Sequence, residues 1–383
     1  MVAGSSPARD VYIMNYSELS DQELLDLRSR VDDDISKYHN FQLCRKIQLN
    51  SAYGSIGTPY CRYYDTKLAE AITLTGQVII QFIADEINVF LNTAIGSTDI
   101  DYVIASDTDS VMLNMEAIVN KFGKNKTKTE IIDYINEVCV KIMTPFIRKQ
   151  FEKMAKLTNA NSNKIIMERE VIADIGIWTA KKRYMLNVWD VDGVRYKEPK
   201  QKIMGIETTR SSTPEVVRKR LKDCISLILN NDEEDLIKYV ATFKKEFYSL
   251  TPEEIAFPRS VNGLKKYTDK NQIYKKATPI AVKGSLLYNH YLSKLKLTKK
   301  YNKINEGEKI KFIYLKKPNP LSGAIGADCV IAFPGKLPSE FDVGKFIDYA
   351  LQFEKTFLDP LGTILNVISW NYEEKASLET LFR

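Results

Sequence analysis

The sequence predicts an α+β fold in which helices pack against an antiparallel sheet. Two stretches, residues 68–91 and 128–157, have the apolar spacing of long helices. Two shorter runs, residues 164–168 and 183–189, are typical of strands, and the Asp-Gly pair at 192–193 predicts a tight turn after the second. Helices that cover a sheet of this kind form an α+β domain.

Helix start signals locate the first elements along the chain. Ser20 and Glu23 have the spacing of a capping box, which predicts a helix that begins there and runs toward Asn50. The helix over residues 68–91 is expected to bury five apolar side chains on one face. These are Ala71, Leu74, Val78, Phe82 and Ile83.

The second half of the chain has its own start signals. Thr213 followed by Pro214 predicts an N-cap and a first helical position, opening a helix through about Leu229. The acidic run 231–235 predicts the start of another helix. The last helix is expected over residues 343–357.

Composition excludes several function classes. The 383 residues carry a net charge of +6 and are 44% hydrophobic, which excludes a disordered chain. Only two histidines are present, and the cysteines are scattered without a C-x-x-C pair, so a zinc site, a disulfide frame and a Ser-His-Asp triad are poorly supported. Metal chemistry must therefore use carboxylates. With no signal peptide and no run of eighteen apolar residues, we expect an intracellular protein without a membrane partner.

An acidic tip separates two short apolar runs in the first half of the chain. The sequence Ser-Asp-Thr-Asp-Ser at 106–110 follows apolar residues 102–105 and precedes apolar residues 111–113, which predicts a β-hairpin. Its carboxylates, Asp107 and Asp109, suit a hard divalent cation that binds through oxygen. Asp-rich turns are also common as purely structural features, so the hairpin alone leaves both interpretations open.

A second motif, KxxxNSxYG, lies upstream. On a helix, Lys46, Asn50 and Tyr53 fall at i, i+4 and i+7 and project from one face. A cation, an amide and a phenol on one face can hold a triphosphate and a base pair. The alternative is a solvated helix end that Gly54 simply terminates.

Together, KxxxNSxYG and the DTDS sequence about fifty residues later resemble motifs B and C of family B DNA polymerases. Lys181, Lys182, Arg183 and Tyr184 resemble the KKRY element of that family. The surroundings of this element, residues 202–207 and the C-terminal residues 375–382 are similar to the T4-like bacteriophage replicative polymerases. The resemblance extends from about Ser20 to the end of the chain.

The resemblance implies a right-hand polymerase architecture: an antiparallel palm, a mainly helical thumb and part of the fingers. Residues 1–15 are expected to be disordered, because the segment opens on Gly, Ser and Pro within residues 1–10, has no periodicity there and matches nothing in the family. For the rest of the chain the resemblance implies a fingers helix with motif B (16–54), palm (55–205), thumb (206–372) and a clamp-binding tail (373–383).

The implied reaction is transfer of a nucleotide from a deoxynucleoside triphosphate to a primer 3′-hydroxyl with two Mg²⁺ ions. Asp109 is expected to bridge the metals, with Asp107 nearby, and Lys46 to meet the triphosphate; these three are the catalytic candidates. Glu168 and Glu170, expected on a strand, resemble a peripheral acidic pair. Glu170 is a metal candidate, although a salt bridge with Arg169 or Lys181 explains the pair equally well. The nucleotide candidates are Lys46, Asn50, Tyr53 and Gly54.

Two further regions point to partners. Residues 261–320 contain fifteen lysines against three acids, with tyrosines interleaved, which indicates phosphate-backbone contact or a solvated basic surface. The resemblance assigns this strip to the thumb. The DNA-binding candidates are Lys181, Lys182, Arg183, Tyr184, Lys275 and Lys276. In the tail, Leu378, Leu381 and Phe382 are expected to bind a sliding clamp, with a frayed amphipathic helix end as the alternative.

Three family features are not found in the sequence. These are motif A, which supplies the other essential carboxylate, the exonuclease and a triphosphate-binding arginine of the fingers. The sequence therefore predicts a palm and thumb subunit that needs an N-terminal partner half, and that acts in the cytoplasm, of an infected bacterial host if the chain is viral. The alternatives are a truncated gene fragment, or a non-catalytic module that binds DNA and tethers the clamp. A two-metal nuclease would need more carboxylates.

Overall fold

The computed structural model describes residues 19–123, 125–321 and 330–373. The chain forms two compact units, one from residues up to 118 together with 149–164, and the other from residues 119–148 together with 165 onward. Helices and antiparallel sheets alternate throughout, which confirms the predicted α+β class. The predicted domain boundaries stay a prediction.

The first unit contains two long helices and a hairpin. Helix α1 (Asp21–Ile56) begins at the predicted capping box, where Glu23 Oε2 accepts a hydrogen bond of 2.9 Å from the Ser20 amide. All 36 residues of α1 are described and none is buried. Helix α2 (Thr66–Ile95) starts at an Asp65 cap and ends at Gly96 in the left-handed region. Strands β1 (Val103–Asp107) and β2 (Ser110–Leu113) follow.

The buried face of α2 is shorter than the sequence predicts. Ile83, Ile87 and Leu91 are buried, and Phe82 is half-buried. The predicted burial of Ala71, Leu74 and Val78 was wrong, because all three are exposed. Periodicity identifies the apolar stripe, but packing partners within the unit reach only its C-terminal turns.

Helix α2 is the one described helix long and apolar enough to cross a membrane, judged by length and composition alone, with a mean hydropathy of 1.4 over 18 residues. Asp85 and Glu86 interrupt its apolar sequence, and Lys153 Nζ lies 2.8 Å from Glu86 Oε1. Charges inside a helix are unfavourable in lipid, and an ion pair to another helix of the same unit is typical of a packed protein helix.

Several helices open the second unit. Helix α3 (Glu116–Phe122) crosses from one unit to the other. The predicted helical stretch 128–157 is confirmed as α4 (Lys128–Val138), a π-helical turn (Cys139–Met143) and α5 (Thr144–Leu157), whose C-terminal part lies in the first unit.

A three-stranded antiparallel sheet follows, in the order β3 (Val171–Ala180), β4 (Arg183–Val191), β5 (Val194–Met204). The predicted strand 183–189 is confirmed as β4, and so is its turn, since Asp192 and Gly193 have φ of 50° and 86°. The predicted strand 164–168 was wrong: these described residues have no regular structure. They belong to none of the described sheets, and strand propensity does not encode whether a partner strand is available for pairing.

The C-terminal region mixes helices with a second sheet. Three strands, β6 (Phe257–Ser260), β9 (Lys309–Tyr314) and β10 (Val330–Phe333), form it in the order β10-β9-β6. The expectation of a mainly helical region did not include this sheet. Its larger helices are α6 (Glu215–Leu229), α7 (Glu233–Phe247) and α10 (Ile280–Lys294). Shorter elements between them are α8 (Pro252–Ile255), α9 (Leu264–Tyr267), β7 (Thr268–Asp269) and β8 (Ile273–Tyr274).

Helix boundaries depart from prediction in two places. Pro214, not Thr213, is the N-cap of α6, a shift of one residue. The last helix was expected from residue 343, but α11 (Tyr349–Phe353) begins after Asp348, whose carboxylate accepts from the Leu351 amide at 3.0 Å. It continues through a π-helical turn into α12 (Asp359–Ile368). Phenylalanines of α7 and of this last helical segment form a buried aromatic cluster.

A buried carboxylate links the sheet to α4. Asp190 on β4 is 2% exposed and pairs with Arg169 and with Arg195, whose Nε lies 3.2 Å away; it also accepts from the Gly193 amide at 3.0 Å. Arg195 in turn reaches Asp133 on α4 at 2.9 Å. Burial opposes ionisation of Asp190, but these hydrogen bonds outweigh it and lower its pKa.

A lowered pKa gives Asp190 a defined pH dependence. Because the folded state holds the carboxylate more acidic than the unfolded chain does, its contribution to stability is complete above the ordinary aspartate pKa of 3.8 and is lost as the pH falls through the lowered value.

We expect Asp190→Asn to lower the free energy of unfolding at neutral pH by about 3–5 kcal/mol, because it leaves two guanidinium groups without their shared carboxylate. Urea unfolding of both proteins measures the difference, which should shrink as the pH is lowered below 4. The control is Glu137→Gln, which breaks an exposed pair with Lys141 and should leave stability unchanged. Equal losses in both variants would contradict the assignment.

Candidate active site

The DTDS sequence forms a hairpin, as predicted. Asp107 pairs with Ser110, so Thr108 and Asp109 make a two-residue turn. Thr108 has φ of 56°, and its hydroxyl donates to Asp107 Oδ1 at 3.0 Å, while the Ser110 hydroxyl donates to the Asp107 carbonyl at 3.2 Å. Both hydroxyls of the motif therefore stabilise the turn. Asp107 is half-buried and Asp109 is exposed at the tip.

Two asparagines of α2 hold the start of this hairpin. Asn88 Oδ1 accepts from the amides of Tyr102 at 2.8 Å and Val103 at 3.1 Å. One turn further along, the Asn92 side chain bonds both the amide and the carbonyl of Ile100, at 3.1 and 2.8 Å. The side chains lie at i and i+4 on one face of α2, so they fix the direction in which β1 leaves the helix.

The donor set at the hairpin tip fits a hard cation in kind but is small. Carboxylate oxygens are the ligands that Mg²⁺ prefers. Among the residues that the structure describes, no group of three or more His, Cys, Asp or Glu is placed to hold a metal ion. The part of the chain that the structure describes therefore holds no complete metal site at this tip.

The KxxxNSxYG motif lies on the C-terminal part of α1, in the same unit as the hairpin. Lys46, Asn50 and Tyr53 are helical and exposed, so the predicted common face is present. Gly54 does not end the helix, which continues to Ile56 with Gly57 as its cap. A Cβ added at Gly54 would meet no atom within 4 Å. The motif thus presents an open polar surface.

The KKRY element lies in the second unit, at the turn between β3 and β4. Ala180 pairs with Arg183, so Lys181 and Lys182 form a two-residue turn, and both are exposed. Arg183 Nη2 lies 2.6 Å from Glu207 Oε2. The Tyr184 ring lies 6.3 Å from that of Trp178 on the neighbouring strand. Only the two lysines are presented at the turn itself.

Glu168 and Glu170 also lie in the second unit, in the irregular segment before β3 and not on the strand that was predicted. Glu170 Oε1 accepts from Lys202 Nζ at 2.7 Å, so its ion pair is with a residue of β5 and not with Arg169 or Lys181. Arg169 pairs with Asp190.

The basic strip, residues 261–320, combines exposed lysines with buried or half-buried tyrosines. Thirteen of its fifteen lysines are exposed, Lys275 and Lys276 among them, and Lys283 and Lys311 are half-buried. Its tyrosines are largely core residues: Tyr274, Tyr288 and Tyr291 are 8%, 1% and 3% exposed. Asp269 is used within the β7–β8 hairpin, where amide hydrogen bonds from Asn271 and Gln272 lower its pKa. Leu378, Leu381 and Phe382 lie outside the described residues.

Comparison with known proteins decides what these motifs belong to. The family model for DNA polymerase family B matches residues 25–343. The chain belongs to this family. It is 35% identical to the DNA-directed DNA polymerase of Enterobacteria phage T4 over 97% of its own length, and 36% identical to that of Escherichia phage RB69 over 89%. A DNA polymerase of Thermococcus gorgonarius is 25% identical over 86%.

The chain spans about two-fifths of the length of the phage relatives that it matches, 42% and 38% respectively. The residues that match the family B model, 25–343, include both the DTDS hairpin and the KKRY turn. Sequence reasoning missed Asn88 and Asn92 on α2, which hold the start of the hairpin. The i, i+4 spacing of the two asparagines on an otherwise apolar helix was the available signal.

We expect Asn88→Ala to increase hydrogen exchange at Tyr102 and through β1 and β2, because it removes the acceptor of the Tyr102 amide and one of two acceptors of the Val103 amide, the other being Asp101 Oδ1. Leaving buried donors unpaired costs about 1–3 kcal/mol, equivalent to a roughly 5- to 150-fold faster local opening. Exchange measured by mass spectrometry tests this. Thr93→Ala, which removes a hydroxyl bonded only to its own helix at Val89, is the control. Unchanged protection of residues 102–113 would rule out the proposed restraint.

Proposed function

We propose that this chain supplies the nucleotide-binding helix, part of the metal-binding carboxylates and the DNA-gripping surfaces of a DNA-directed DNA polymerase. The DTDS hairpin carries the proposal, since a family B chain presents two aspartates at a tip that α2 restrains. In the proposed reaction a primer 3′-hydroxyl attacks the α-phosphate of a deoxynucleoside triphosphate and pyrophosphate leaves.

Each motif has a role in this reaction. Asp109 and Asp107 would hold part of the coordination of Mg²⁺, which when bound would make the primer hydroxyl more acidic and neutralise developing charge. Lys46 meets the triphosphate oxygens as a point charge, and Asn50 on the next turn orients them. Tyr53 contacts the new base pair, and the open space around Gly54 admits the template base.

DNA contacts come from the second unit. Lys181 and Lys182, at the exposed turn of the sheet, and the lysines around the β7–β8 hairpin, including Lys275 and Lys276, bind the phosphates of the primer–template duplex. The exposure of these lysines and the small number of nearby acids support the proposal. Tyr184 stabilises the turn against Trp178.

Completing the metal site requires the carboxylate of motif A, which these 383 residues do not contain. We propose that a polymerase half bearing motif A and the exonuclease supplies it. The experiment mixes this chain with such a half as a separate polypeptide and measures primer extension with Mg²⁺ and all four nucleotides. Extension by the mixture, and not by either component, is the expected result. Extension by this chain alone contradicts it.

The alternative function is a non-catalytic module that binds DNA and tethers a clamp. The exposed lysines favour it because they need no metal site. In the same experiment it gives salt-sensitive duplex binding without extension in any mixture.

We expect Asp109→Ala to abolish extension by the reconstituted enzyme, at least a roughly 1,000-fold loss and about 4 kcal/mol of transition-state stabilisation, because a metal ligand is removed. Duplex binding, measured by fluorescence anisotropy, should be nearly unchanged. Asp85→Ala, at an exposed aspartate of α2, serves as the control and should retain full extension. Near-normal extension by Asp109→Ala would show that the metal lies elsewhere.

The C-terminal tail is proposed to bind a sliding clamp through Leu378, Leu381 and Phe382, whose apolar side chains within five residues suit a small hydrophobic pocket. Deleting residues 378–383 should abolish the increase in product length that the clamp produces, while extension without clamp stays at the level of the full chain. Product lengths on a primed circular template measure both. Loss of clamp-independent extension would contradict this role.

A further inference from the structure

The turn that carries Lys181 and Lys182 rests against a glycine. Gly205 directly follows β5 and has φ of 67°, a region that L side chains rarely adopt. A Cβ placed there would lie 2.1 Å from the carbonyl oxygen of Lys182 and 3.3 Å from Arg183 Cγ. The first of these two clashes is with backbone, so no side-chain rotation relieves it. Any side chain at position 205 must displace the turn.

The residues after Gly205 hold the same turn from a second direction. Ile206 is 1% exposed and anchors the segment in the core. Glu207 accepts from Arg183 Nη2 at 2.6 Å, and these side chains are 19% and 24% exposed. The Gly205 carbonyl accepts from Arg210 Nη2 at 3.0 Å. The Arg183 guanidinium is thereby engaged within the protein, next to the exposed lysines of the turn.

We propose that Gly205 and Glu207 are positioning residues that set where the Lys181–Lys182 turn presents its charges to duplex DNA. Gly205 permits the close approach of the Lys182 carbonyl. Glu207 binds the Arg183 guanidinium, which therefore supports the turn and does not bind a phosphate. The proposal rests on the DNA-binding role proposed above for Lys181 and Lys182.

The sheet provides a matched control at its other end. Gly193, in the β4–β5 turn, has φ of 86°, but a Cβ there would meet no atom within 4 Å. Asparagine tolerates the left-handed region better than other non-glycine residues. Comparing Gly205→Asn with Gly193→Asn therefore separates the loss of close approach from the change in backbone preference.

The test measures binding of the full chain to a primer–template duplex by fluorescence anisotropy across a salt series. Removing one lysine–phosphate interaction reduces the steepness of log K against log salt by about 1. We expect Gly205→Asn to weaken binding and to reduce this steepness by at least as much as Lys182→Ala does, because it displaces the turn that carries both lysines. The double variant Gly205→Asn/Lys182→Ala should bind little more weakly than Gly205→Asn alone, since displacement of the turn already removes the Lys182 contact. Gly193→Asn should bind as the unaltered chain does.

Two results overturn the proposal and differ in what they imply. If Lys182→Ala weakens binding but Gly205→Asn keeps the original affinity and salt dependence, the positioning role is wrong and the DNA-binding role stands. If neither Lys181→Ala nor Lys182→Ala changes binding, the DNA-binding role itself fails, and the positioning role with it. Should Gly205→Asn not fold, Glu207→Gln decides: it introduces no bulk, and the proposal requires that it reduce the salt dependence of binding.

Discussion

The arrangement of the sheet and α4 in the second unit depends on the ion pairs of the buried Asp190 carboxylate. This carboxylate gathers two guanidinium groups and a turn amide at one end of the three-stranded sheet, and through Arg195 and Arg169 it reaches Asp133 and Asn136 on α4. A buried ion pair of this kind adds little net stability over an apolar core, yet removing one member is costly because the others remain buried. The consequence of this ion-pair network is geometric. It fixes α4 against the sheet, and its bonds within the β4–β5 turn fix how these two strands pair.

The strand register determines which side chains the sheet exposes at its opposite end. The strands β3 to β5 run antiparallel, so the β4–β5 turn near Asp190 and the β3–β4 turn with Lys181 and Lys182 lie at the two ends of β4. A shift of one residue in pairing would turn every side chain to the other face and move the lysines away from Gly205. The same logic holds in the first unit, where Asn88 fixes the start of β1 and hence the tip with Asp109.

The sequence predicts locally encoded features well. The capping box at Ser20, the turn at Asp192 and Gly193, the DTDS hairpin and the helical stretch from residue 128 depend on neighbouring residues, and each is present. Features that depend on distant partners were missed. Residues 164–168 have strand propensity, but none of the described sheets offers them a partner strand. The β10-β9-β6 sheet is assembled from strands that are separated in sequence by whole helices. The requirement for glycine at position 205 arises only because strand pairing brings the Lys182 carbonyl close to it.

The distribution of charge explains why the hairpin is built as a protruding tip. Two carboxylates two residues apart repel each other, and burying two charges without a cation is energetically costly. An exposed Asp109 beside a half-buried Asp107 avoids this cost, because water solvates the charge until a cation replaces the water. The turn itself is stabilised by the Thr108 and Ser110 hydroxyls, so its shape does not depend on the metal. A preformed tip of two carboxylates, completed by a third from motif A, would couple metal binding to assembly of the whole polymerase site, which is the behaviour proposed for this chain.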